Sequence, residues 1–279
     1  MRRRIYAISR AKRFSPNSVD KDAAILEGVA CELRQAGFDV EIRSEGDIPL
    51  TTEAAAYISM GREPATVATL KRIENAGVPV INSARSVETC CNRRRVNDMM
   101  RRAGVRLPDT EGNCGYWLKR ADGTAESSGD IRFAADRQTA ERELMLMKSA
   151  GINDIIVQAH VRGDLVKFYG VSGTDFFHLC YPCDDGNWKF EDERRNGTTC
   201  HYLFDKQELH DMAERAAETT ETTVYGGDCI VDSNGRVTII DFNDWPSFSR
   251  CREKAATAIA ETVTKRVRLY EIKNTSNDR

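Results

Sequence analysis

Residues 227–243 read GDCIVDSNGRVTIIDFN and predict two short β-strands joined by a tight turn. Successive side chains of a strand point to opposite faces, so Asp241 and Asn243 project together. If the turn at 232–235 folds the strands antiparallel, Asp228 returns to lie beside Asp241. Aspartate is depleted inside strands, which makes these acids more informative than acids in a turn. The stretch therefore predicts three oxygen ligands on one face of a hairpin.

Oxygen ligands of this kind suit Mg²⁺, which usually binds through one or two carboxylates together with nucleotide phosphates. Phosphate chemistry is therefore the first function that the hairpin indicates. The plain alternative is an ordinary hairpin with acids at its solvated ends.

The hairpin and Pro246, which follows it, resemble the metal-binding end of the ATP-grasp superfamily. Further segments resemble that superfamily, in the order in which its enzymes have them, over residues 82–249. Ordered together, these segments make the resemblance fairly specific. They are Asn82-Ser83, Cys91-Asn92-Arg93, Val105-Arg106-Leu107-Pro108, Tyr116-Trp117-Leu118-Lys119-Arg120, Ile155-Ile156-Val157-Gln158-Ala159, Gly163-Asp164 and Val166-Lys167-Phe168-Tyr169-Gly170-Val171.

The composition agrees with a soluble enzyme. The 279 residues carry a net charge of −2 with 30% charged residues, so no global electrostatic field favours nucleic acid. The basic start is followed by a short apolar strand, and no run of 18 apolar residues exists, so neither a secretory signal nor a membrane span is expected. Nine scattered cysteines indicate reduced thiols, and we expect a cytoplasmic location.

Strands alternate with helices in the first part of the chain, which implies a parallel sheet. Hydrophobic periodicity predicts a strand, helix and strand at 5–9, 20–36 and 38–42, then a helix and strand at 65–76 and 78–81. Residues 115–161 predict strand, strand, helix and strand, and two more helices are expected at 206–220 and 251–270.

The predicted fold class is α/β and α+β. The resemblance implies an ATP-grasp fold in which an N-terminal α/β domain, the pre-ATP-grasp domain, occupies residues 1–83. A linker helix and the central ATP-binding subdomain would follow at 84–161, and a C-terminal subdomain with the metal site at 162–279. The two α+β subdomains would enclose the nucleotide.

The resemblance also implies a binding site for ATP. Lys119 is expected to place its ammonium on the phosphates, and the backbone of Gln158 and Ala159 to pair with the adenine. The remaining expected contacts are a small-residue loop containing Ser128 and Gly129, and two apolar walls, Ile230 and Ile240.

One part of the expected phosphate grip differs from the superfamily. The first ATP lysine is missing from the helix after Asn92, and Asn97 falls in its place. Arg93 or Arg95 is expected to substitute; the alternative is a solvated basic helix face.

Two Mg²⁺ ions would neutralise the charge that builds as the γ-phosphoryl group moves. The resemblance implies that Asp241 bridges them and that Asp228 and Asn243 complete their ligand shells.

Most ATP-grasp enzymes activate a carboxylate as an acyl phosphate, from which an amine or thiol then displaces phosphate. Arg194 or Arg195 resembles the arginine that steadies the anionic intermediate. The alternative for both is a basic loop paired with the acids at 191–193. Lys167 and three cations of the first strand-to-helix loop, Arg10, Lys12 and Arg13, are expected to bind an anionic substrate; the alternative is ordinary surface charge.

The first function predicted is therefore an ATP-dependent carboxylate–amine ligase, for which Asp244 would bind the amine. The alternative within the fold is a kinase of a phosphorylated polyol such as an inositol phosphate. A third hypothesis is a nucleotide-binding regulatory protein that has lost catalysis. The expected partner is a small anionic molecule, with no nucleic acid and no membrane, and a homo-oligomer is expected by analogy only.

Overall fold

A computed structural model of the protein describes residues 3–15, 18–122, 128–182, 184 and 195–277. In this part of the chain the strands form a parallel sheet of four, an antiparallel sheet of three and an antiparallel sheet of four. The predicted fold class, α/β combined with α+β, is confirmed.

The N-terminal sheet is parallel, with the order β2-β1-β3-β4. Two of its helices end where Gly37 and Gly77 adopt φ values of 92° and 91°, a conformation that glycine takes without strain. The elements are β1 (Arg4–Ser9), α1 (Val19–Gln35), β2 (Asp39–Ser44), β3 (Ala56–Ser59), α2 (Pro64–Asn75), β4 (Val80–Ile81) and α3 (Ala84–Cys90).

The predicted strands and helices of this region are confirmed to within two residues at their ends. Strand β3 was not predicted. It begins at the last alanine of the run 54–56, a residue type with low β propensity. The strand lies between β1 and β4, and all four of its side chains are buried.

The central unit follows helix α4 (Arg93–Arg102) and has its own small core between one helix and one face of its sheet. Asp136 caps the helix, because its side chain accepts a hydrogen bond from the Thr139 amide at 2.7 Å. The unit contains β5 (Tyr116–Arg120), β6 (Ile131–Ala134), α5 (Arg137–Ser149) and β7 (Ile155–Ala159), with the sheet order β6-β5-β7.

The C-terminal sheet has the order β11-β10-β8-β9 and is antiparallel throughout. Its apolar face packs on α6, while the long last helix packs against α1 of the N-terminal unit. Its elements are β8 (Asp164–Val171), β9 (Phe177–Cys180), α6 (Lys206–Thr220), β10 (Val224–Val231), β11 (Val237–Asp244) and α7 (Arg252–Asn277).

The N-terminal and C-terminal units share one hydrophobic core and several buried polar contacts. The fully buried amide of Asn82 donates to Val224 O at 2.8 Å and accepts from Val224 N at 2.7 Å, so it acts as a strand partner for the end of β10. Buried backbone groups need such partners, and these two bonds fix the first sheet against the last one.

The structure corrects the predictions for Arg10 and Asp244. Asp244 is 1% exposed and forms an ion pair with Arg62, so its carboxylate joins the two units and does not face an amine. The guanidinium of Arg10 is likewise buried, where it lies 3.2 Å from Asp22 and donates to Trp245 O at 2.9 Å. A buried charge is stable only with such partners, and both residues have theirs within the protein.

Helix α4 packs into the core of the C-terminal sheet through Val96 and Met100. The predicted boundary at residue 84 groups this helix with the central unit, and the three-part division of the chain stays a prediction. No helix in the described ranges is long and apolar enough to cross a membrane.

Candidate active site

The predicted hairpin is formed by β10 and β11, and Asp228 lies directly opposite Asp241. Its turn is held by Asp232, whose carboxylate accepts from the amides of Asn234 and Arg236 at 2.8 and 3.0 Å. The predicted return of Asp228 to the side of Asp241 is therefore confirmed.

A β-bulge interrupts the hairpin next to the two acids. Asp228 pairs with Asp241 but Cys229 pairs with Ile239, so Ile240 has no opposite residue. A bulged residue turns its backbone groups out of the ladder. The carbonyl of Ile240 accepts a hydrogen bond from Lys119 Nζ at 2.9 Å, which joins the central and C-terminal sheets across the cleft.

The C-terminal sheet carries its polar side chains in two rows on the face that does not pack on α6. Residues opposite one another on neighbouring strands share a face, so pairing alone defines each row. The first row runs from β11 to β9 as Asp241, Asp228, Lys167 and Cys180. The second row runs in the same direction as Asn243, Gly226, Tyr169 and His178.

The carboxylates of the first row lie among cations. Lys167 Nζ is 3.1 Å from Asp228 Oδ1, and Arg93 Nε is 4.0 Å from Asp241 Oδ1. Asn243 donates to Asp241 Oδ2 at 2.7 Å. Burial by itself raises the pKa of Asp241, but the charges of Arg93, Lys119 and Lys167 and the Asn243 hydrogen bond outweigh it, so the pKa lies below its usual value.

These residues fit a hard cation such as Mg²⁺. The side chains of Asp228 and Asp241 are each 29% exposed, so their oxygens are open to the cleft. The third predicted ligand, Asn243, keeps its carbonyl oxygen while its amide nitrogen donates to Asp241. Among the described residues no three acids, histidines or cysteines group as a metal site, so a metal here would use two carboxylates and an amide.

Lys119 lies on β5 in a narrow cavity between the central sheet, α4 and β11. Burial lowers the pKa of Lys119, and the nearby charge of Arg93 lowers it further, although Asp241 and Asp228 oppose the shift. The residues lining the cavity include Arg93, Asn97, Lys119, Gln158, Ile240 and Asp241.

The cavity lining distinguishes the two arginines predicted to replace the missing lysine. Arg93 lines it and approaches Asp241, whereas Arg95 is exposed and does not line it. Asn97, which falls at the position of the missing lysine, lines the cavity beside Lys119. Of the two candidates, the structure brings only Arg93 to the site.

The predicted adenine contacts lie at the end of β7. The Gln158 side chain lines the cavity and is 3% exposed, but the amide of Ala159 already donates to Asp109 O at 2.7 Å. Ile230 is buried beside Gly163, where a side chain would meet Val231 O and Ile230 Cγ2. Direct adenine pairing by the Ala159 amide would require it to leave Asp109.

Arg195 lies across the cleft from its own unit. Its guanidinium carbon is 3.8 Å from the centre of the Phe133 ring and 5.7 Å from that of Trp117, on the central sheet. Trp117 in turn donates from Nε1 to His160 Nδ1 at 3.1 Å. Arg195 therefore connects the segment before α6 to the central sheet by cation–π contact, and its assignment to a reaction intermediate stays a prediction.

Three other predicted residues are only partly accounted for. Arg194 and the side chain of Ser128 lie outside the described residues. Gly129 accepts a hydrogen bond from Arg132 Nε at 3.2 Å, and its contact with phosphate stays a prediction.

Sequence reasoning missed Trp117, Phe133, Tyr169 and His178 as residues of the cleft. A signal existed for Trp117, which stands two residues before Lys119 on the same strand and so shares its face. The others are placed by strand pairing, since Phe133 is opposite Trp117 and His178 is opposite Tyr169.

No protein-family model matches this chain, and no curated protein sequence does either. Solved structures do match over nearly the whole chain. The D-alanine–D-alanine ligase from Coxiella burnetii has a TM-score of 0.68 at 11% identity, covering 99% of this chain and 98% of that one. The D-alanine–D-alanine ligase from Bacillus anthracis, solved in complex with ATP, has a TM-score of 0.65 at 12% identity, covering 98% and 99%.

A third solved structure carries the name of the superfamily. The RimK domain ATP-grasp protein from Sphaerobacter thermophilus has a TM-score of 0.63 at 16% identity, covering 94% of this chain and 99% of that one. Identities this low show the fold and not the substrate. In agreement with the resemblance in its sequence, the chain has the ATP-grasp fold.

Proposed function

We propose that this chain is an ATP-dependent ligase, which activates a carboxylate as an acyl phosphate for attack by an amine. The observation that carries the proposal is the meeting of two carboxylates, Asp228 and Asp241, with three cations in one cleft. The cations are Arg93, Lys119 and Lys167. Three positively charged side chains beside a site for Mg²⁺ suit a substrate with several negative charges, such as a triphosphate.

Each charged side chain has a distinct part in this proposal. Mg²⁺ held by Asp228, Asp241 and the Asn243 carbonyl oxygen would neutralise charge on the terminal phosphates. Lys119 exchanges its bond to Ile240 O for a phosphate oxygen when ATP enters the cavity. Arg93 adds a second cation from α4, in place of the missing lysine.

The proposed reaction has two steps. A carboxylate oxygen of the first substrate attacks the γ-phosphorus, and the bond to ADP breaks as the acyl phosphate forms. The amine nitrogen of the second substrate then attacks the acyl carbon, phosphate leaves, and the amine proton passes to solvent. Lys167, or an arginine at 194 or 195, would stabilise the anionic oxygens during these steps.

The names of the similar structures support the ligase over other chemistry. Two of them are D-alanine–D-alanine ligases, and one of those was solved with ATP. We further propose a small anionic substrate, a cytoplasmic location, a homo-oligomer, and the division of the chain at residues 83 and 161.

Phosphorus NMR of the protein with Mg²⁺-ATP tests the proposal. The substrates are a pooled panel of amino acids, dipeptides, organic acids and polyol phosphates. We expect ADP with an equal amount of free phosphate, dependent on a carboxylate and an amine together. ADP with a new phosphoester signal and no free phosphate would refute the ligase and establish the kinase. Absence of ADP across the panel, with ATP bound, would favour a protein without catalysis.

A further inference from the structure

We propose that the β8–β9 half of the C-terminal sheet is the acceptor subsite and that it binds an oxyanion of the substrate, a carboxylate or a phosphate group. This inference deepens the proposed function and rests on it. The acceptor subsite is defined by residues on both strands and by cations that follow β11: Lys167, Tyr169, His178, Cys180, Arg250 and Lys254.

The position of the subsite follows from the pairing of the strands. The proposed metal ligands Asp241 and Asp228 occupy the β11 and β10 positions of the first row, and Asn243 occupies the β11 position of the second. Both rows continue onto β8 and β9. Lys167, beside Asp228, is the junction between the two halves. A group that accepts phosphate from ATP on β10 and β11 must therefore lie over β8 and β9 or beyond the row ends.

The loop after β11 folds back over the same rows. A side chain at Gly226 would lie 2.7 Å from Pro246 Cγ and 3.0 Å from Tyr169 Cδ1, so only glycine allows this approach. Phe248 then packs against Tyr169, with ring centres 5.6 Å apart. Beyond Phe248 the loop carries Arg250 to the end of β9, where it donates to Tyr181 O at 3.1 Å.

Among the described residues, several positive charges lie around this half of the sheet. Burial lowers the pKa of His178, and the positive charges of Lys254 and Arg250 lower it further. Burial raises the pKa of the Cys180 thiol. The imidazole and the thiol are thus neutral at pH 7, and the described charges that act on them include Lys167, Arg250 and Lys254, with Asp228 facing Lys167.

Cations beside neutral hydrogen-bonding groups are the usual recognition of a carboxylate or phosphate. Arg250 supplies a planar guanidinium, and Lys167 and Lys254 supply point charges. The rings of Tyr169 and His178, stacked with centres 6.4 Å apart, lie next to one another in the second row and would contact the substrate. A neutral or cationic acceptor would gain nothing from this arrangement.

Cys180 lies within the proposed subsite, so its reaction with charged and neutral reagents measures the local charge there even though the substrate is unidentified. The rate at which the anion iodoacetate alkylates Cys180 is compared with the rate for neutral iodoacetamide. Tandem mass spectrometry distinguishes modification of Cys180 from that of Cys183. The exposed Cys31 of α1 provides the reference ratio. We expect the iodoacetate-to-iodoacetamide rate ratio at Cys180 to exceed that at Cys31 by about tenfold, as for short-range attraction between unit charges.

Variants identify the source of the attraction. Arg250→Gln and Lys254→Gln are each expected to lower the ratio at Cys180 severalfold, whereas Lys265→Gln, an exposed lysine farther along α7, leaves it unchanged. Lys254 is exposed in the first turn of α7, so its variant remains informative if Arg250→Gln fails to fold. Equal ratios at Cys180 and Cys31, or no effect of either substitution, would overturn the inference.

Protection experiments identify the oxyanion. Succinate or inorganic phosphate is added while Cys180 reacts with iodoacetamide. Protection by succinate supports the subsite with a carboxylate acceptor, and protection by phosphate alone supports it with a phosphorylated one. Protection by neither counts against the subsite. These readouts do not involve ATP, so failure of the ligase reaction in phosphorus NMR is distinguishable from failure of the subsite.

Discussion

Replacing Asp241 by Asn should abolish ATP turnover while the protein remains folded. The substitution removes one negative charge with almost no change in volume. Arg93 Nε lies 4.0 Å from the carboxylate, where two unit charges attract by about 1 kcal/mol in water and about 4 kcal/mol at an effective dielectric constant of about 20. Since the side chain is 29% exposed, we expect a loss of about 1 kcal/mol in the free energy of unfolding.

The substitution should weaken the binding of Mg²⁺ and nucleotide much more than it weakens the fold. Three cations and two carboxylates give the site a net charge of +1, which the variant raises to +2. A divalent cation then loses a ligand and meets stronger repulsion. We expect turnover to fall by at least about a hundredfold.

The assay is ADP release at saturating Mg²⁺-ATP, with calorimetry for nucleotide affinity and urea unfolding for stability. Asp232→Asn is the matched control, because it makes the same chemical change in the turn of the same hairpin, where an amide oxygen also accepts from Asn234 and Arg236. Turnover of folded Asp241→Asn within a few-fold of wild type would refute the metal assignment.

Three further predictions concern the cleft and its supports. Lys119→Met should weaken ATP binding by about tenfold or more in calorimetry yet raise the melting temperature, because burial lowers the pKa of this lysine and its charge costs stability. Asn82→Ala should lower the free energy of unfolding in urea by about 2 to 5 kcal/mol, since it leaves two buried backbone groups of Val224 unpaired. Gly226→Ala should disturb the loop at Pro246. Separate titrations should show that it weakens binding of an oxyanion at the acceptor subsite more than binding of ATP.

Each of these predictions has a contrary outcome. Unchanged ATP affinity in Lys119→Met would show that the phosphates bind elsewhere. Asn82→Ala with wild-type stability would show that water replaces the amide without cost. Gly46→Ala is the control for Gly226→Ala, because a side chain at Gly46 meets nothing within 4 Å. Equal behaviour of the two glycine variants would contradict the packing argument.

The pH dependence of Asp241 offers a check on its electrostatics. Its pKa in the folded protein lies below the ordinary value of 3.8, so its stabilising contribution is present above that value. The contribution is lost as the pH falls through the folded pKa. The stability difference between wild type and Asp241→Asn should therefore disappear in strongly acidic solution.

The sequence determined the elements whose signals are local. The turn at 232–235 and the strand alternation around Asp241 predicted the hairpin and its facing acids, and the register confirms both. The ends of α1 and α2 were predicted to within one residue, because each is followed by a glycine, Gly37 or Gly77, that itself adopts the left-handed conformation. Lys119 was identified from a resemblance, and the structure brings it to the β11 carbonyl as a cleft residue.

Tertiary structure decided which charges are buried and which face the cleft. Arg10 and Asp244 are predicted from the sequence as substrate contacts, and only the approach of segments 182 residues apart pairs Asp244 with Arg62. Strand β3 was missed because it has four residues and begins in an alanine run, so its two strand-favouring residues, Tyr57 and Ile58, are too few to show a period. The alignment of Lys167 and Cys180 with the two acids depends on pairing among four strands. No local pattern encodes such register, because it is fixed by contacts between residues distant along the chain.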